Sequence, residues 1–388
     1  MTMNKKNILI IFTGSMELGG IEKSLINLLN TIDYSSYNVD LFLYAHHGSL
    51  INEINHNVNL LPEVKELAYL RESLMTKLKN HCFYSAFKRV YDGIRGIHHD
   101  ITWRNIMRKT VKNIPQEYDL AIGYFRSFDL LKEKVKAKKK VGWIHTDYSV
   151  ENEDVALVHD DYYGLDQYIA VSEKCAAGFC KVYPDLASKV QVIENIMDCQ
   201  GILDSANECI KLPFRRNYVN LLSIGRFCTA KNFDSVPEIC SLLQKEIPNI
   251  CWYIIGYGSD ENLIKDKIKE YHMEEHIILL GKKDNPYPFI KHCDFYVQPS
   301  RYEGKALTVV EAQILSKPVI IAAYPTAPSQ LRDGIDGIIV PQDPQGMAFG
   351  IYKVLKDVEL QKKLVENCQK KDYSNSEQIE RLYQLMEE

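Results

Sequence analysis

The stretch SRYEGKALTVVEAQ, residues 300–313, places two glutamates, Glu303 and Glu311, eight positions apart around a turn glycine and the start of an apolar, helix-like run. Three readings compete: a pair of acid–base carboxylates, a ligand clamp, or two solvated charges at a helix start. Glycoside-hydrolysing carboxylates lie about 5–9.5 Å apart. Eight residues of continuous helix separate two Cα atoms by about 12 Å along the axis. Gly304 after Glu303 places that residue in the loop ahead of the helix, with Glu311 inside it. The two then make separate contacts along one extended ligand, and the helix N-terminus between them favours negative charge. A hydrolytic pair does not fit this spacing; a clamp does.

The surroundings of the clamp decide the fold. Before it run NLLSIGR, CWYIIGYG, HIILLG and DFYVQPS, and after it PVIIAA and GIIVP, with helical patterns between. An earlier series reads NILIIFT, VDLFLYA, YDLAIGY, KVGWIH, QYIAVSE and VQVIEN. Short apolar runs alternating with helices mark parallel α/β layering. Two successive series predict two doubly wound domains, joined between Asn195 and Tyr218, where KLPFRRN breaks the pattern. The expected division is a first domain at 1–198, a second at 199–370, and a final helix at 371–388 that crosses back to the first domain.

The 388 residues suffice for two cores, and a net charge of −4 gives no bulk affinity for nucleic acid. Ten cysteines form no CxxC pair and no Cys/His cluster with zinc spacing, which suits a reducing cytoplasm. Lys5 and Lys6 precede an apolar run of only strand length, without a small-residue cleavage site, so a signal peptide is not expected. No run approaches the roughly 20 apolar residues of a spanning helix. The expected location is the cytosol, or the periphery of the membrane on its cytosolic side.

Two loops carry candidate anion-binding groups. In TGSMELGGIEKS, Gly19 and Gly20 stand between the first strand and first helix, where backbone N–H groups can meet a phosphate. A plain tight turn is the other reading. Neither this loop nor IIGYGSDE, with Gly256 and Gly258, completes a dinucleotide fingerprint. In SIGRFCTAKNF, Gly225 is followed by Arg226 and Lys231 at the C-terminal end of a first strand. Two cations there suit a diphosphate, Arg as a fork and Lys as a point charge; two solvated loop cations are the alternative. HDDYYGLD, around Asp160, lacks the D-x-D of a metal-dependent nucleotide-sugar site and reads as surface.

The segment 71–112, from Arg71 to Lys112, departs from this rhythm. It holds ten Lys/Arg against three Asp/Glu. Phe83, Phe87, Val90, Tyr91 and Ile94 follow helical spacing, as do Ile97, Ile101 and Met107, and Arg104, Arg108 and Lys112 form an i, i+4, i+8 stripe. A second basic run, KEKVKAKKK, ends at Lys140. These are either helices with a solvated basic face or a surface for anionic lipid head groups.

Together these motifs resemble the retaining GT-B glycosyltransferases called GT4, or glycosyl transferases group 1. Glu303 and Glu311 match that family's E-x7-E; Arg226 with Lys231–Asn232 matches its GR…KN pattern; VIENIMD resembles its interdomain N-x-x-D and WIHTD its N-domain histidine strand. The likeness is strong over 220–345 and looser before. It implies two Rossmann-like domains facing across a cleft. Arg226 and Lys231 would bind and stabilise the leaving nucleoside diphosphate, Glu303 the donor sugar and Glu311 the ribose. His145 would touch the sugar, although a lone His after a strand also has an ordinary structural reading. Gly19, Gly20 and Gly225 would bring backbone near the phosphates, while Lys282 and Lys283 would face the base. Glu303, Gly304, Lys305, Ala306 and Leu307 stand where many members continue E-G-F-G-L, and the resemblance implies that Gly304 to Leu307, with Thr308, contact the donor; Lys305 is a departure, either a third cation near the phosphates or a solvated one. The implied reaction is metal-independent, retaining transfer from a nucleotide-sugar, a UDP-sugar first, to a glycan or lipid-linked glycan, with no cofactor. An Ile-, Lys-, Asn- and Tyr-rich composition points to an AT-rich bacterial genome, and the resemblance then implies surface polysaccharide synthesis. The rivals are a nucleotide-sugar epimerase, which consumes donor without acceptor, and a catalytically silent scaffold.

Overall fold

The computed structural model describes residues 5–17, 19–70, 72–126, 128–146, 148 and 162–387. Arg71, Asp147 and His159 to Asp161, each part of a segment discussed above, lie outside the described residues. The chain forms two units, one of Met1–Ile196 with Ser376–Glu388, the other Met197–Asn375.

The first unit is built on a seven-stranded parallel sheet. Its strands are β1 (Lys6–Phe12), β2 (Tyr37–Leu43), β3 (Asn59–Leu60), β4 (Glu117–Phe125), β5 (Lys136–Ile144), β6 (Gln167–Ala170) and β7 (Val190–Val192), in the order β3-β2-β1-β4-β5-β6-β7. Ile8 to Phe12 are all buried, as expected of a parallel strand covered on both faces. The terminal helix Gln378–Gln384 packs into this unit's core through Ile379 and Leu382. Tyr383 stacks on Tyr37 at 4.3 Å, and its hydroxyl accepts the Asp33 N–H at 2.9 Å.

The second unit has six parallel strands, β8 (Val219–Ile224), β9 (Ile250–Ile255), β10 (Ile277–Gly281), β11 (Phe295–Gln298), β12 (Val319–Ala322) and β13 (Ile338–Val340), ordered β10-β9-β8-β11-β12-β13. Every residue of β9 is buried. In both sheets the order reverses beside the first strand, opening a crevice at the carboxyl ends of β1 and β4 in one, and of β8 and β11 in the other.

Two basic features differ from expectation. Residues 136–140 of the run ending at Lys140 are the first half of β5, not a helical face. They alternate with the strand's period of two and pair with β4, where Lys138 reaches Asp119 at 2.7 Å. The Arg104–Arg108–Lys112 stripe is also incomplete. The helix His99–Thr110 ends before Lys112, and Arg108 is consumed by a fork onto Glu133 at 2.5–3.0 Å.

Candidate functional site

The crevice of the second unit gathers the charged groups. Gly225 follows β8, and a one-turn helix, Thr229–Lys231, turns the loop so that Lys231 Nζ lies 2.5 Å from Glu303 Oε1 beyond β11. A Cβ on Gly225 would sit 3.2 Å from the Lys231 side chain, so the glycine leaves the lysine its path across the strand end. Asn232 ends the turn in the left-handed region at φ 59°, and its amide donates to the Pro299 carbonyl at 3.0 Å. Asn tolerates that conformation better than most residues. Arg301 forks onto Asp234 at 2.9 and 2.7 Å and donates to the Thr229 carbonyl at 2.7 Å. The loops after β8 and β11 are thus fastened together.

Glu303 is further fixed by the Ser300 hydroxyl at 2.6 Å. Behind it Gln298, fully buried, donates to Ser300 Oγ at 2.8 Å and accepts from Tyr296 OH at 2.7 Å. Thr326 Oγ1 donates to the Glu303 carbonyl at 2.8 Å. Arg226 is different. It is exposed, and among the described residues it makes no ion pair or hydrogen bond. The crevice therefore offers one braced cation and one uncommitted one.

Glu311 lies inside the helix Leu307–Ile314, buried to 4% exposure, and accepts from Tyr287 OH at 3.1 Å. Glu303 precedes that helix, so the two carboxylates belong to different local structures. Ala306 exchanges hydrogen bonds with the Gln330 amide at 2.8 and 3.2 Å, anchoring the helix start, with Leu307 and Thr308 forming its first turn. Lys305 Nζ donates to the Ser329 carbonyl at 3.2 Å rather than standing wholly in solvent. Lys282 and Lys283 follow β10, over the rings of Tyr257 at 5.6 Å and Phe289 at 6.0 Å. The glycines of IIGYG have a packing reason. A Cβ on Gly256 would lie 1.9 Å from the Gly225 carbonyl oxygen, and one on Gly258 2.3 Å from that of Phe227.

In the first unit, His145 follows β5. Its ring lies 4.6 Å from Tyr124 and stacks on Trp143 at 6.1 Å. Burial lowers its pKa to about 3, against a smaller opposing effect of a hydrogen bond to the Tyr124 backbone. Nε2 is buried without a partner, so Nδ1 makes that bond and Nε2 carries a lone pair. Tyr124 OH lies 2.7 Å from Ser24 Oγ, which donates to Asn195 Oδ1 at 2.6 Å. Asp198, three residues on from Asn195, caps the helix Cys199–Ser205 through the Gly201 N–H at 2.9 Å. Gly19 caps the helix Gly20–Thr31 in extended conformation, and a Cβ on it would meet the Glu22 carboxylate at 2.2 Å; Gly20 faces open space.

The sequence reading missed the Tyr296–Gln298–Ser300 chain, the Arg301–Asp234 fork and the Ser24–Tyr124–Asn195 link. Only the polar run QPSR after a buried strand hints at the first.

Two Rossmann-like domains of this order, one with paired cations and carboxylates at its switch point, define a GT-B protein. Residues 205–371 match the family model of Glycosyl transferases group 1. Among curated proteins, the chain is 27% identical over 176 residues to N-acetylgalactosamine-N,N'-diacetylbacillosaminyl-diphospho-undecaprenol 4-alpha-N-acetylgalactosaminyltransferase of Campylobacter jejuni, covering 45% of this chain and 46% of that protein. It is 25% identical over 243 residues to poly(glycerol-phosphate) alpha-glucosyltransferase of Bacillus subtilis, covering 58% and 36%. The matches span between 37% and 55% of the length of the first three curated relatives. Among solved structures, a variant of S. aureus TarM in complex with Fondaparinux, alpha-GlcNAc-glycerol and UDP superposes with a TM-score of 0.71 at 14% identity, covering 99% of this chain and 100% of that one. Anabaena HepE in complex with UDP gives 0.67 at 16%, covering 98% and 99%.

Proposed function

We propose that the chain is a retaining, metal-independent glycosyltransferase of the GT4 kind. It moves a sugar from a nucleoside-diphosphate sugar, a UDP-sugar first, to a hydroxyl of a glycan or lipid-linked glycan in bacterial surface polysaccharide synthesis. One observation carries this reading: Lys231 and Glu303 touch, at the crevice where exposed Arg226 also stands. A β-phosphate and the sugar it bears are likewise adjacent, one needing a cation and the other a hydrogen-bond acceptor. The activities for which the Campylobacter and Bacillus relatives are named, both alpha-glycosyl transfers, support the same class.

In this reading Arg226 and Lys231 neutralise the diphosphate as the C1–O bond breaks, Glu303 holds sugar hydroxyls and Glu311 the ribose. Gly225, Gly304, Lys305, Ala306, Leu307 and Thr308 line the phosphate path, and Lys282 and Lys283 flank the base. His145 contacts the donor sugar, while Gly19 and Gly20 bring backbone N–H groups to the phosphates. The acceptor oxygen attacks the face the diphosphate leaves, and its proton passes to the departing phosphate oxygen. Catalysis then rests on positioning and charge stabilisation. The test is incubation with UDP-, GDP-, ADP- and dTDP-sugars with chelator present, following acceptor-free hydrolysis and the released sugar's anomer by NMR. Hydrolysis of one donor to the anomer it carried is expected; a changed nucleotide-sugar instead would identify an epimerase, and no turnover with a lipid-linked acceptor supplied would favour a scaffold.

A further inference from the structure

The helix Phe83–Ile94 is packed the reverse way from an ordinary surface helix. Its buried residues are Ser85, Ala86 and Asp92, whereas Phe83, Phe87 and Ile94 are 59%, 68% and 82% exposed. With Tyr91 they recur at steps of four, four and three and form one stripe. The orientation is held from inside. Asp92 is satisfied by Lys88 Nζ at 2.8 Å and Thr102 Oγ1 at 2.9 Å, and the Glu66 carboxylate accepts the N–H groups of Tyr84 and Ser85 at 3.3 and 3.0 Å. The adjoining helix Leu74–Lys79 repeats the inversion. Lys77 is buried with its Nζ on the Leu70 carbonyl at 2.6 Å, while Met75 and Leu78 are exposed.

Large side chains left in water on a braced scaffold mark a surface awaiting a partner. Its edges are cationic. Lys88 and Arg95 lie over the Tyr91 ring at 5.8 and 5.5 Å, and Lys79 is exposed at the end of the neighbouring helix. Neither helix carries an exposed carboxylate, Asp92 being buried in its ion pair. An apolar protein groove needs no such rim; an anionic bilayer does.

We propose that the helices Leu74–Lys79 and Phe83–Ile94 form a docking surface for an anionic lipid bilayer. Met75, Leu78, Phe87 and Ile94 enter the acyl boundary, and Lys79 and Arg95 meet head-group phosphates. The proposal uses first-unit residues outside the donor site and stands apart from the transfer reaction. The test is flotation of the full chain with phosphatidylcholine vesicles, with and without phosphatidylglycerol, at low and high salt, together with the double variant Phe87→Ser/Ile94→Ser and the variant Arg95→Gln. Binding to phosphatidylglycerol vesicles is expected, falling at least about tenfold in the double variant and weakening with salt and in Arg95→Gln. The double variant should leave acceptor-free donor hydrolysis unchanged, because its side chains are exposed and are not among the donor-site residues. Flotation that is absent, or equal for wild type and double variant, overturns the proposal. So does a wild-type dimer by light scattering that the double variant abolishes, because the stripe then covers a second copy.

Discussion

Lys231 Nζ and Glu303 Oε1 lie 2.5 Å apart, joining loops 72 residues apart in sequence at the strand ends where the second sheet reverses order. Both side chains are partly buried, and Ser300 holds the same carboxylate oxygen. Removing either partner leaves the other less satisfied, so substitutions here act on more than one contact. Lys231→Ala is expected to cut turnover by about 10²-fold or more, the scale of losing a transition-state charge partner. Arg226→Ala is expected to do the same without loss of thermal stability, because Arg226 has no protein partner among the described residues. Steady-state rates and melting curves of the two variants check both statements.

Glu311 is held by the Tyr287 hydroxyl at 3.1 Å. Tyr287→Phe removes one hydrogen bond to a buried carboxylate and leaves the ring, a change of about 1–2 kcal/mol. Donor KM should rise several-fold while kcat changes little, since the ribose contact proposed for Glu311 is remote from the bond that breaks. An equal fall in kcat would move Glu311 towards the reacting centre.

Gly256→Ala would place a methyl 1.9 Å from the Gly225 carbonyl, a backbone atom that cannot swing aside. The loop after β8, which carries Arg226, must shift. A loss of about 1–3 kcal/mol in denaturant unfolding is expected, with a weaker donor affinity. Gly20→Ala, in open space, should be close to neutral by the same assay.

His145 gives a pH signature. Its pKa is about 3 when folded and near the ordinary 6.5 when unfolded, so the unfolded chain binds the extra proton first. The stability it confers is complete above pH 6.5 and is lost as pH falls towards 3. At pH 5 the loss is about 2 kcal/mol. His145→Gln should flatten the stability profile between pH 7 and 5 relative to wild type. An unchanged slope would mean the imidazole is not buried neutral.

How far the sequence was legible depended on the range of each interaction. The placement of Glu303 ahead of a helix, of Glu311 within it and of the cations after β8 was readable because each is set within one loop and one helix start. The sheet strands were readable as apolar runs. The Arg301–Asp234 fork was not, since its partners are 67 residues apart and neither belongs to a recurring spacing. Residues 136–140 misled because five residues with four lysines suggest solvent rather than a strand. The stripe Phe83–Phe87–Tyr91–Ile94 was visible, but helical spacing is the same whether a face turns inward or outward. Only the burial of Asp92 and Lys77 distinguishes them.

The central claim is that the crevice at β8 and β11 binds a nucleoside diphosphate through Arg226 and Lys231. Its most direct test is calorimetric titration of UDP into the full chain and into Arg226→Ala. One site per chain is predicted, with affinity falling about 10- to 100-fold in the variant, the scale of one charge-assisted phosphate contact. UDP binding equally tightly to both proteins would contradict it, as would the failure of UDP, GDP, ADP and dTDP alike to bind the wild type.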